Sequence, residues 1–295
     1  MSGSPQPGRP AWKEVRAILD AEEFHPSRKL GQNFLLDENM VQRIALDTEL
    51  GPGDFALEIG TGCGFLTSHL AALKAEIVSV EIDRRLLAVA TRLLAGWDNV
   101  RIVRADVLAG KHRLEPEVQA LLPADREWHA VGNLPYSVAS PLMVVLARLA
   151  TPPQTMTALV QAEVAERVAA RPGGDSWGPL SARLQIQYEA RNLRSVPPQL
   201  FWPRPKVDSA VLRLERREVQ PSAAELRRFD ALVDCLFRSR RKAILGLLAR
   251  ELGDRGVAAE LLESEGLDST LRAGALTPAQ LLALAGSEPW GRAHS

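Results

Sequence analysis

The feature that most constrains the fold is a repeated alternation of apolar runs and amphipathic stretches between residues 55 and 136. The runs FALEIG, EIVSVEID, VRIVRADVL and WHAVGNLPY are typical of buried strands, and FLTSHLAALKA and RRLLAVATRLLAG between them are typical of helices. Strands that alternate with helices in this way form a parallel sheet with helices on both faces. The sequence therefore predicts an α/β fold, with TMTALVQ, ARLQIQYEA and VDSAVLRLER as further strands.

Composition divides the 295 residues into three parts. Residues 1–10 are small, polar and rich in proline and glycine, which predicts a disordered tail. The mixed pattern of strands and helices continues to residue 217 and predicts an α/β domain over residues 11–217. Residues 218–288 show helical patterns without a convincing strand and predict a smaller, all-helical C-terminal domain. Two helix starts carry a capping signal: Asp37 before one helix, and Thr277 with Gln280 as a capping box before another.

Charge and cysteine usage exclude several classes of protein. Lys plus Arg and Asp plus Glu both total 36, so any nucleic-acid surface has to be local. Cys63 and Cys235 stand far apart, and the histidines do not cluster, so we expect neither a disulfide framework nor a bound metal. No apolar stretch approaches the length of a membrane span, and we expect a soluble, cytoplasmic protein.

A glycine turn and three carboxylates predict a nucleoside pocket. Gly60 and Gly62 lie in a GxGxG turn after the first strand of the alternating region, and Glu81 ends the next strand 21 positions after Gly60. A carboxylate there can accept both ribose hydroxyls, and Asp106, at the end of the third strand, can accept from an adenine amine. Glu58 lies within the first strand, where an unpaired charge is costly. We assign it to the same donor site and expect it to organise the loop. The glycine register fits a nicotinamide dinucleotide poorly, so we predict an S-adenosylmethionine site.

The tetrapeptide Asn133-Leu134-Pro135-Tyr136 follows the fourth strand and predicts a site for an amine acceptor. The N6 amine of adenine is a poor nucleophile because its lone pair is delocalised into the ring. The side-chain oxygen of Asn133 and the carbonyl of Leu134 can accept both amine protons. Pro135 restrains the residue before it, and Tyr136 can stack on the base. Catalysis of this kind depends mainly on positioning.

With these motifs the chain resembles the small-subunit ribosomal RNA adenine dimethyltransferases. The resemblance covers about residues 25–250 and depends on six blocks: LGQNFL at 30–35, EIG at 58–60, EID at 81–83, NLPY at 133–136, QAEVA at 161–165 and PRPKVDSAV at 203–211. It departs from the family in the turn TGCG, where Pro-Gly is commoner, and in Ala105 before Asp106. Neither change removes a glycine or carboxylate of the predicted donor pocket.

The resemblance implies a fold, an activity and a set of site residues. The fold is a Rossmann-like S-adenosylmethionine-dependent methyltransferase sheet. The activity is dimethylation of N6 of two adjacent adenosines near the 3′ end of small-subunit (16S) rRNA during ribosome biogenesis. The family pattern assigns donor contacts to six residues: Asn33, Leu35, Gly60, Glu81, Asp106 and Asn133. Phe201 is expected to stack on the flipped base opposite Tyr136.

Basic residues in two segments are expected to hold the RNA. Arg204 and Lys206 lie in the PRPKVDSAV block, and a denser run begins the helical domain with Arg238, Arg240, Arg241 and Lys242. Cations that neutralise phosphates supply affinity, and the shape of the RNA then has to supply specificity. We expect a monomer whose partner is the rRNA of an assembling 30S-type subunit.

Two alternatives remain open on sequence alone. One is a large-subunit rRNA adenine methyltransferase of the antibiotic-resistance type, which shares the pocket. NLPY and PKVDSAV favour the small-subunit enzyme. The other is a ribosome-assembly factor that keeps the fold and binds RNA without catalysis, against which the intact pocket argues.

Overall fold

The computed structural model describes residues 8, 11–110, 112–135 and 138–294, which divide into two compact units. The first unit consists of the described residues up to Leu146 with Thr151–Ala165 and Arg191–Glu215. The second consists of Ala147–Ala150, Glu166–Ala190 and the described residues from Arg216 onward. It thus includes two segments that lie before residue 217. The expected tail falls almost wholly outside the described residues, and the functional division at residue 217 stays a prediction.

Helices and strands alternate along most of the chain. The helices are α1 (Trp12–Ala21), α2 (Glu38–Asp47), α3 (Phe65–Ala72), α4 (Arg84–Leu93), α5 (Pro116–Gln119), α6 (Ala139–Ala147), α7 (Ala162–Val168), α8 (Pro179–Gln185), α9 (Ala223–Phe237), α10 (Ile244–Leu252), α11 (Arg255–Ser264), α12 (Pro278–Gly286) and α13 (Glu288–Ala293). The strands are β1 (Phe34–Leu35), β2 (Phe55–Ile59), β3 (Glu76–Glu81), β4 (Val100–Arg104), β5 (His129–Asn133), β6 (Thr155–Gln161), β7 (Tyr188–Val196), β8 (Phe201–Trp202) and β9 (Ser209–Arg216).

The main sheet has seven strands in the order β4-β3-β2-β5-β6-β9-β7. The strands from β4 to β6 in that order pair in parallel, and β9 pairs antiparallel with β6. The register places Glu81 opposite Arg104 and Asn133 opposite Leu159, so the strand ends that carry the predicted site residues share one edge of the sheet. The predicted α/β fold is confirmed.

One predicted strand is wrong in its first half. In the segment ARLQIQYEA, residues up to Gln185 belong to α8, and β7 begins only at Tyr188. The helix starts with Pro179 at a position that proline favours, and the Gly178 N–H donates to the Ser181 hydroxyl at 3.1 Å. This local capping, together with burial of Ala182 and Leu184, outweighs the strand-like run of apolar residues.

The predicted helix caps are confirmed by geometry. The Asp37 carboxylate accepts a hydrogen bond from the Met40 N–H at 2.7 Å at the start of α2. At α12, the Thr277 N–H donates to Gln280 Oε1 at 2.9 Å and the Gln280 N–H donates to Thr277 Oγ1 at 3.2 Å. Each bond satisfies an N–H that has no partner inside the helix.

A second, two-stranded sheet joins two distant parts of the sequence. Strands β1 and β8 pair antiparallel, with Phe34 opposite Trp202 and Leu35 opposite Phe201. Aromatic packing extends this ladder, because the rings of Phe34 and Trp202 stack at 5.8 Å and Trp12 of α1 lies 5.6 Å from Trp202. The GQNFL segment is therefore held between the main sheet and an aromatic cluster.

The second unit has its own apolar core, in which Trp177, Phe229 and Trp290 are fully buried. Within this unit Arg148 donates to both carboxylate oxygens of Asp230 at 2.9 Å. Among the described residues, no helix combines the length and apolar character needed to cross a membrane.

We predict that Gly132→Ala destabilises the first unit. A Cβ at Gly132 in β5 would lie 2.5 Å from the carbonyl oxygen of Ile59, which is fixed in the neighbouring strand β2. Overpacking of this kind costs about 1–3 kcal/mol. Urea unfolding measures the effect, and Gly51→Ala is the control because its Cβ would meet only Asp54 Oδ2 at 3.9 Å. Equal stability of the two variants would contradict the packing constraint.

Candidate active site

A cavity of about 230 Å³ opens at the edge of the sheet where β2, β3 and β5 end. Its lining includes eight of the residues that the sequence predicts for the donor and acceptor sites: Asn33, Leu35, Gly60, Gly62, Glu81, Asp106, Asn133 and Pro135. All eight belong to the first unit. The parallel register brings these residues together although they are up to 102 positions apart between Asn33 and Pro135.

The glycine turn shapes one wall of the cavity. Gly60, Gly62 and Gly64 all have positive φ, at 87°, 55° and 83°. A Cβ at Gly64 would lie 2.9 Å from Leu94, which directly follows α4, and a Cβ at Gly62 would lie 3.5 Å from the Phe34 ring. Glycine is the residue that adopts this backbone without steric cost. The turn is held against β3, because the N–H groups of Gly60 and Thr61 donate to the Val80 carbonyl oxygen at 2.9 and 3.3 Å.

Glu81 is buried at the centre of this wall, with its side chain aimed at the turn. Its two carboxylate oxygens accept hydrogen bonds from the N–H groups of Gly62 and Asp83, both at 2.8 Å. Burial raises the pKa of Glu81, and the two backbone donors oppose that shift. A carboxylate has about four lone-pair positions, so capacity remains for two ribose hydroxyls.

The GQNFL segment is fastened to the same strand end. The side chain of Gln32 donates from Nε2 to Asp83 Oδ2 at 2.9 Å and accepts the Ser27 N–H on Oε1 at 2.7 Å. Although burial opposes it, hydrogen bonds from Gln32 and Arg85 lower the pKa of Asp83 and keep it ionised. Gln32 therefore fixes the loop that carries Asn33 and Leu35 against Asp83, which lies two positions after Glu81.

The orientation of the Asn133 amide follows from a single contact. Its Nδ2 donates to the carbonyl oxygen of Asn33 at 2.9 Å, and its Oδ1 is then the atom left to accept from a substrate. Pro135 lines the cavity, whereas the Leu134 side chain is buried and outside the lining, so a role for Leu134 has to involve its carbonyl. Tyr136 lies outside the described residues.

Glu58 is not brought to the cavity, in contrast to the sequence-based assignment. Its side chain is fully buried, and Oε2 accepts hydrogen bonds from the hydroxyls of Ser79 at 2.5 Å and Thr67 at 2.6 Å. Thr61, in the glycine turn, lies 2.6 Å from the Ser79 hydroxyl. Glu58 therefore acts on the turn through neighbouring hydroxyls, because its strand position directs it into the protein interior.

Two residues predicted to contact RNA are engaged in the fold. Phe201 is only 4% exposed and packs with Leu35 and Ile44 in an apolar cluster, so the described conformation does not present its ring to a base. In the second unit Arg240 donates to the carbonyl oxygens of Asp175 and Trp177 at 3.0 and 2.6 Å. Arg240 is nevertheless exposed, as are the other predicted cations: Arg204, Lys206, Arg238, Arg241 and Lys242.

Solved structures with this fold define the class of protein. The crystal structure of the 23S rRNA methyltransferase ErmE is 31% identical to this chain with a TM-score of 0.66, and it covers 85% of this chain and 98% of its own. A dimethyladenosine transferase from Plasmodium falciparum has the same fold, with a TM-score of 0.70 at 21% identity over 84% of this chain and 94% of its own. The sheet and its cavity are those of an α/β methyltransferase.

Sequence comparison identifies the family within that class. The model of the ribosomal RNA adenine dimethylase family matches residues 23–287. Ribosomal RNA small subunit methyltransferase A of Natranaerobius thermophilus is 34% identical over 278 residues, which cover 90% of this chain and 92% of that protein. The chain belongs to the ribosomal RNA adenine dimethylase family.

Several residues of the site were missed by reasoning from sequence. Gln32 was part of a recognised block but had no role of its own, and Thr67 and Ser79 were not singled out. These hydroxyls carry no motif, and only the demand for partners around Glu58 pointed to residues of their type. A buried strand carboxylate is thus the signal that can find them.

We predict that Glu58 makes the stability of the first unit depend on pH. Burial raises the pKa of Glu58 to about 7 from an ordinary value of 4.5, against the opposing hydrogen bonds from Ser79 and Thr67. The folded protein therefore keeps this proton over a range where the unfolded chain has lost it. The free energy of unfolding should fall by roughly 3 kcal/mol between about pH 4.5 and 7 and then level off.

The measurement is urea unfolding across that pH range for the unchanged protein, Glu58→Gln and the exposed control Glu117→Gln. Glu58→Gln should remove this decline because the amide does not titrate, and Glu117→Gln should keep it. Identical pH profiles for all three proteins would show that Glu58 does not hold its proton.

Proposed function

We propose that this protein transfers methyl groups from S-adenosylmethionine to N6 of adenosines in small-subunit (16S) rRNA. In this proposal two adjacent adenosines near the 3′ end each receive two methyl groups during assembly of a 30S-type subunit. The protein acts as a monomer in the cytoplasm, where subunits assemble. Its activity needs no metal, because the sulfonium donor itself activates the methyl group.

The observation that carries the proposal is the fixed amide of Asn133. Because Nδ2 is held by the Asn33 carbonyl, Oδ1 can accept one proton of the adenine amine at the cavity. The Leu134 carbonyl supplies a second acceptor in the proposed arrangement. Two acceptors draw the amine toward tetrahedral geometry and direct its lone pair at the methyl group. Binding in a fixed orientation then supplies most of the rate enhancement.

The charges that line the cavity suit the proposed donor. Its lining carries the carboxylates Glu81 and Asp106 beside the glycine turn, which suits an adenosine with a cationic sulfonium group. Glu81 accepts the ribose hydroxyls, Asp106 accepts the adenine amine, and Asn33 and Leu35 face the remainder of the donor. S-adenosylmethionine supplies the electrophilic methyl group, and the residues of the chain orient it.

The choice between subunits depends on the relatives. A curated relative that aligns with nine tenths of the chain is named as a small-subunit enzyme. The structurally similar ErmE, at 31% identity, is a 23S rRNA methyltransferase, so large-subunit rRNA is the second candidate substrate. The NLPY and PKVDSAV sequences favour the small subunit.

Two variants should separate methyl transfer from donor binding. Asn133→Ala removes one amine acceptor, and we expect turnover to fall by about 10²- to 10³-fold while S-adenosylmethionine still binds. Glu81→Gln removes a charged acceptor of the ribose hydroxyls and should weaken S-adenosylmethionine binding by roughly 10- to 100-fold. Calorimetry measures binding and single-turnover assays measure transfer, with Glu117→Gln as the control. Near-normal turnover of Asn133→Ala would contradict its proposed role.

The function itself is tested by transfer of labelled methyl groups from S-adenosylmethionine. The acceptors are undermethylated small subunits, large subunits and protein-free rRNA, and the modified nucleosides are then mapped. We expect N6,N6-dimethyladenosine in small-subunit rRNA alone. Label confined to large-subunit rRNA would establish the second candidate, and tight subunit binding without label would indicate an assembly factor.

A further inference from the structure

A second concave surface of the first unit lies between α1 and α4, next to the cavity. It is a groove of about 400 Å³ whose apolar floor includes Phe24 and whose rim is formed by three arginines of α4, with one carboxylate opposite: Arg84, Arg85, Arg92 and Glu22. Leu86 of the same helix lines the donor cavity. The groove and the cavity are thus separated by one helix.

The two arginines at the start of α4 are unfavourably placed in the dipole of that helix, whereas Arg92, in its last turn, is favourably placed. Arg84 and Arg85 occupy its first turn, where the partial positive charge of the helix N-terminus disfavours cations, and no acidic residue lies in that turn. From Arg84 to Arg104 the sequence has five arginines and one acidic residue, Asp98, in a chain whose net charge is zero. Asp83 at the N-cap compensates Arg85. Arg84 is a first-turn cation without such compensation among the described residues, and a local rule broken in this way indicates a functional surface.

Two cations of the groove are unpaired among the residues that the structure describes. Arg84 and Arg92 are exposed, and neither has a hydrogen-bond or ion-pair partner in the part of the chain that the structure describes. Arg85 is different, because its guanidinium lies 4.7 Å from the Phe24 ring centroid and 3.5 Å from Asp83. Arg84 and Arg92 are therefore the two cations available to a ligand.

The spacing along α4 suits an extended polyanion. Arg84 and Arg92 are eight positions apart, which is about 12 Å along a helix axis, so they reach two separate anionic groups. Ala88 lines the groove one turn from each, and its small, exposed side chain leaves room for close approach.

We propose that this groove binds the phosphate backbone of the RNA substrate, with Arg84 and Arg92 each contacting a phosphate beside the cavity. The inference rests on the proposed function, because it takes the occupant to be the rRNA whose adenosine enters the acceptor site. The donor cavity lies on one side of α4, at the sheet edge where β3 ends. The groove lies on the other side of α4 and binds the RNA that flanks the target adenosine. The proposed contact adds to the basic segments identified from sequence.

The test compares two variants that differ by one charge. Ala88→Glu places a carboxylate between Arg84 and Arg92, and Ala88→Gln places a neutral side chain of the same size there. Both residues are strong helix formers, and circular dichroism verifies that both variants fold. Binding to protein-free 16S rRNA is measured without S-adenosylmethionine over a series of KCl concentrations.

We expect Ala88→Glu to bind RNA about tenfold more weakly than Ala88→Gln at low salt, with the difference shrinking as KCl rises. As a second measurement, Arg84→Gln combined with Arg92→Gln should reduce the slope of log affinity against log salt by about 1.4 to 1.8, the amount for two phosphate contacts. The control Lys74→Asn removes an exposed cation from the turn before β3, at a positive φ of 65° that asparagine tolerates, and should leave the slope unchanged.

Equal affinities and slopes for all variants would overturn the proposal. So would an effect seen with assembled subunits but absent with protein-free rRNA, because the groove would then bind a protein. Methyl transfer by the unchanged protein is assayed separately. Loss of RNA affinity in Ala88→Glu without any methyl transfer by the unchanged protein would support the groove and refute the function. Normal methyl transfer by the unchanged protein, together with unchanged RNA affinity in Ala88→Glu, would support the function and refute the groove.

Discussion

The site depends on one pair of hydrogen bonds, from the N–H groups of Gly62 and Asp83 to the carboxylate of Glu81. These bonds connect the glycine turn after β2 with Asp83, the residue directly before α4. Both N–H groups donate to the same buried carboxylate. The backbone of β3 also holds the turn, because the N–H groups of Gly60 and Thr61 donate to the Val80 carbonyl oxygen. The residue proposed to bind the ribose hydroxyls therefore also builds the wall of the cavity.

From Glu81 a short chain of contacts leads to the acceptor residue. Asp83 holds Gln32, the next residue is Asn33, and its carbonyl sets the amide of Asn133. The GQNFL loop is thus positioned by polar contacts at Gln32 and Asn33 and by the β1–β8 ladder at Phe34 and Leu35. The same loop therefore connects the strand end that carries Glu81 with the strand end that carries Asn133.

The parts of this arrangement that sequence predicts are those with a period or a spacing. Alternating apolar runs predict the parallel sheet, and a parallel sheet brings Gly60, Glu81 and Asn133 to one edge whatever the loops do. Contacts that depend on side-chain direction were not accessible. Phe201 was assigned to the base but packs inward, and Glu58 was assigned to the donor but binds Ser79. The strand predicted for ARLQIQYEA was wrong in its first half for another reason, because its apolar run is equally compatible with the end of a helix and with a strand.

Helix α4 shows how one element serves three environments. Ala90 packs with Trp97 in the core, Leu86 faces the cavity, and Arg84 and Arg92 border the groove. An amphipathic helix needs only one apolar face, so its remaining positions are free of the packing constraint. The helix dipole favours Arg92 in the last turn and disfavours Arg84 in the first turn. A cation placed against the dipole lowers the stability of the helix, so an interaction outside the helix has to offset that cost. An anionic ligand in the groove, as proposed above, would supply that interaction.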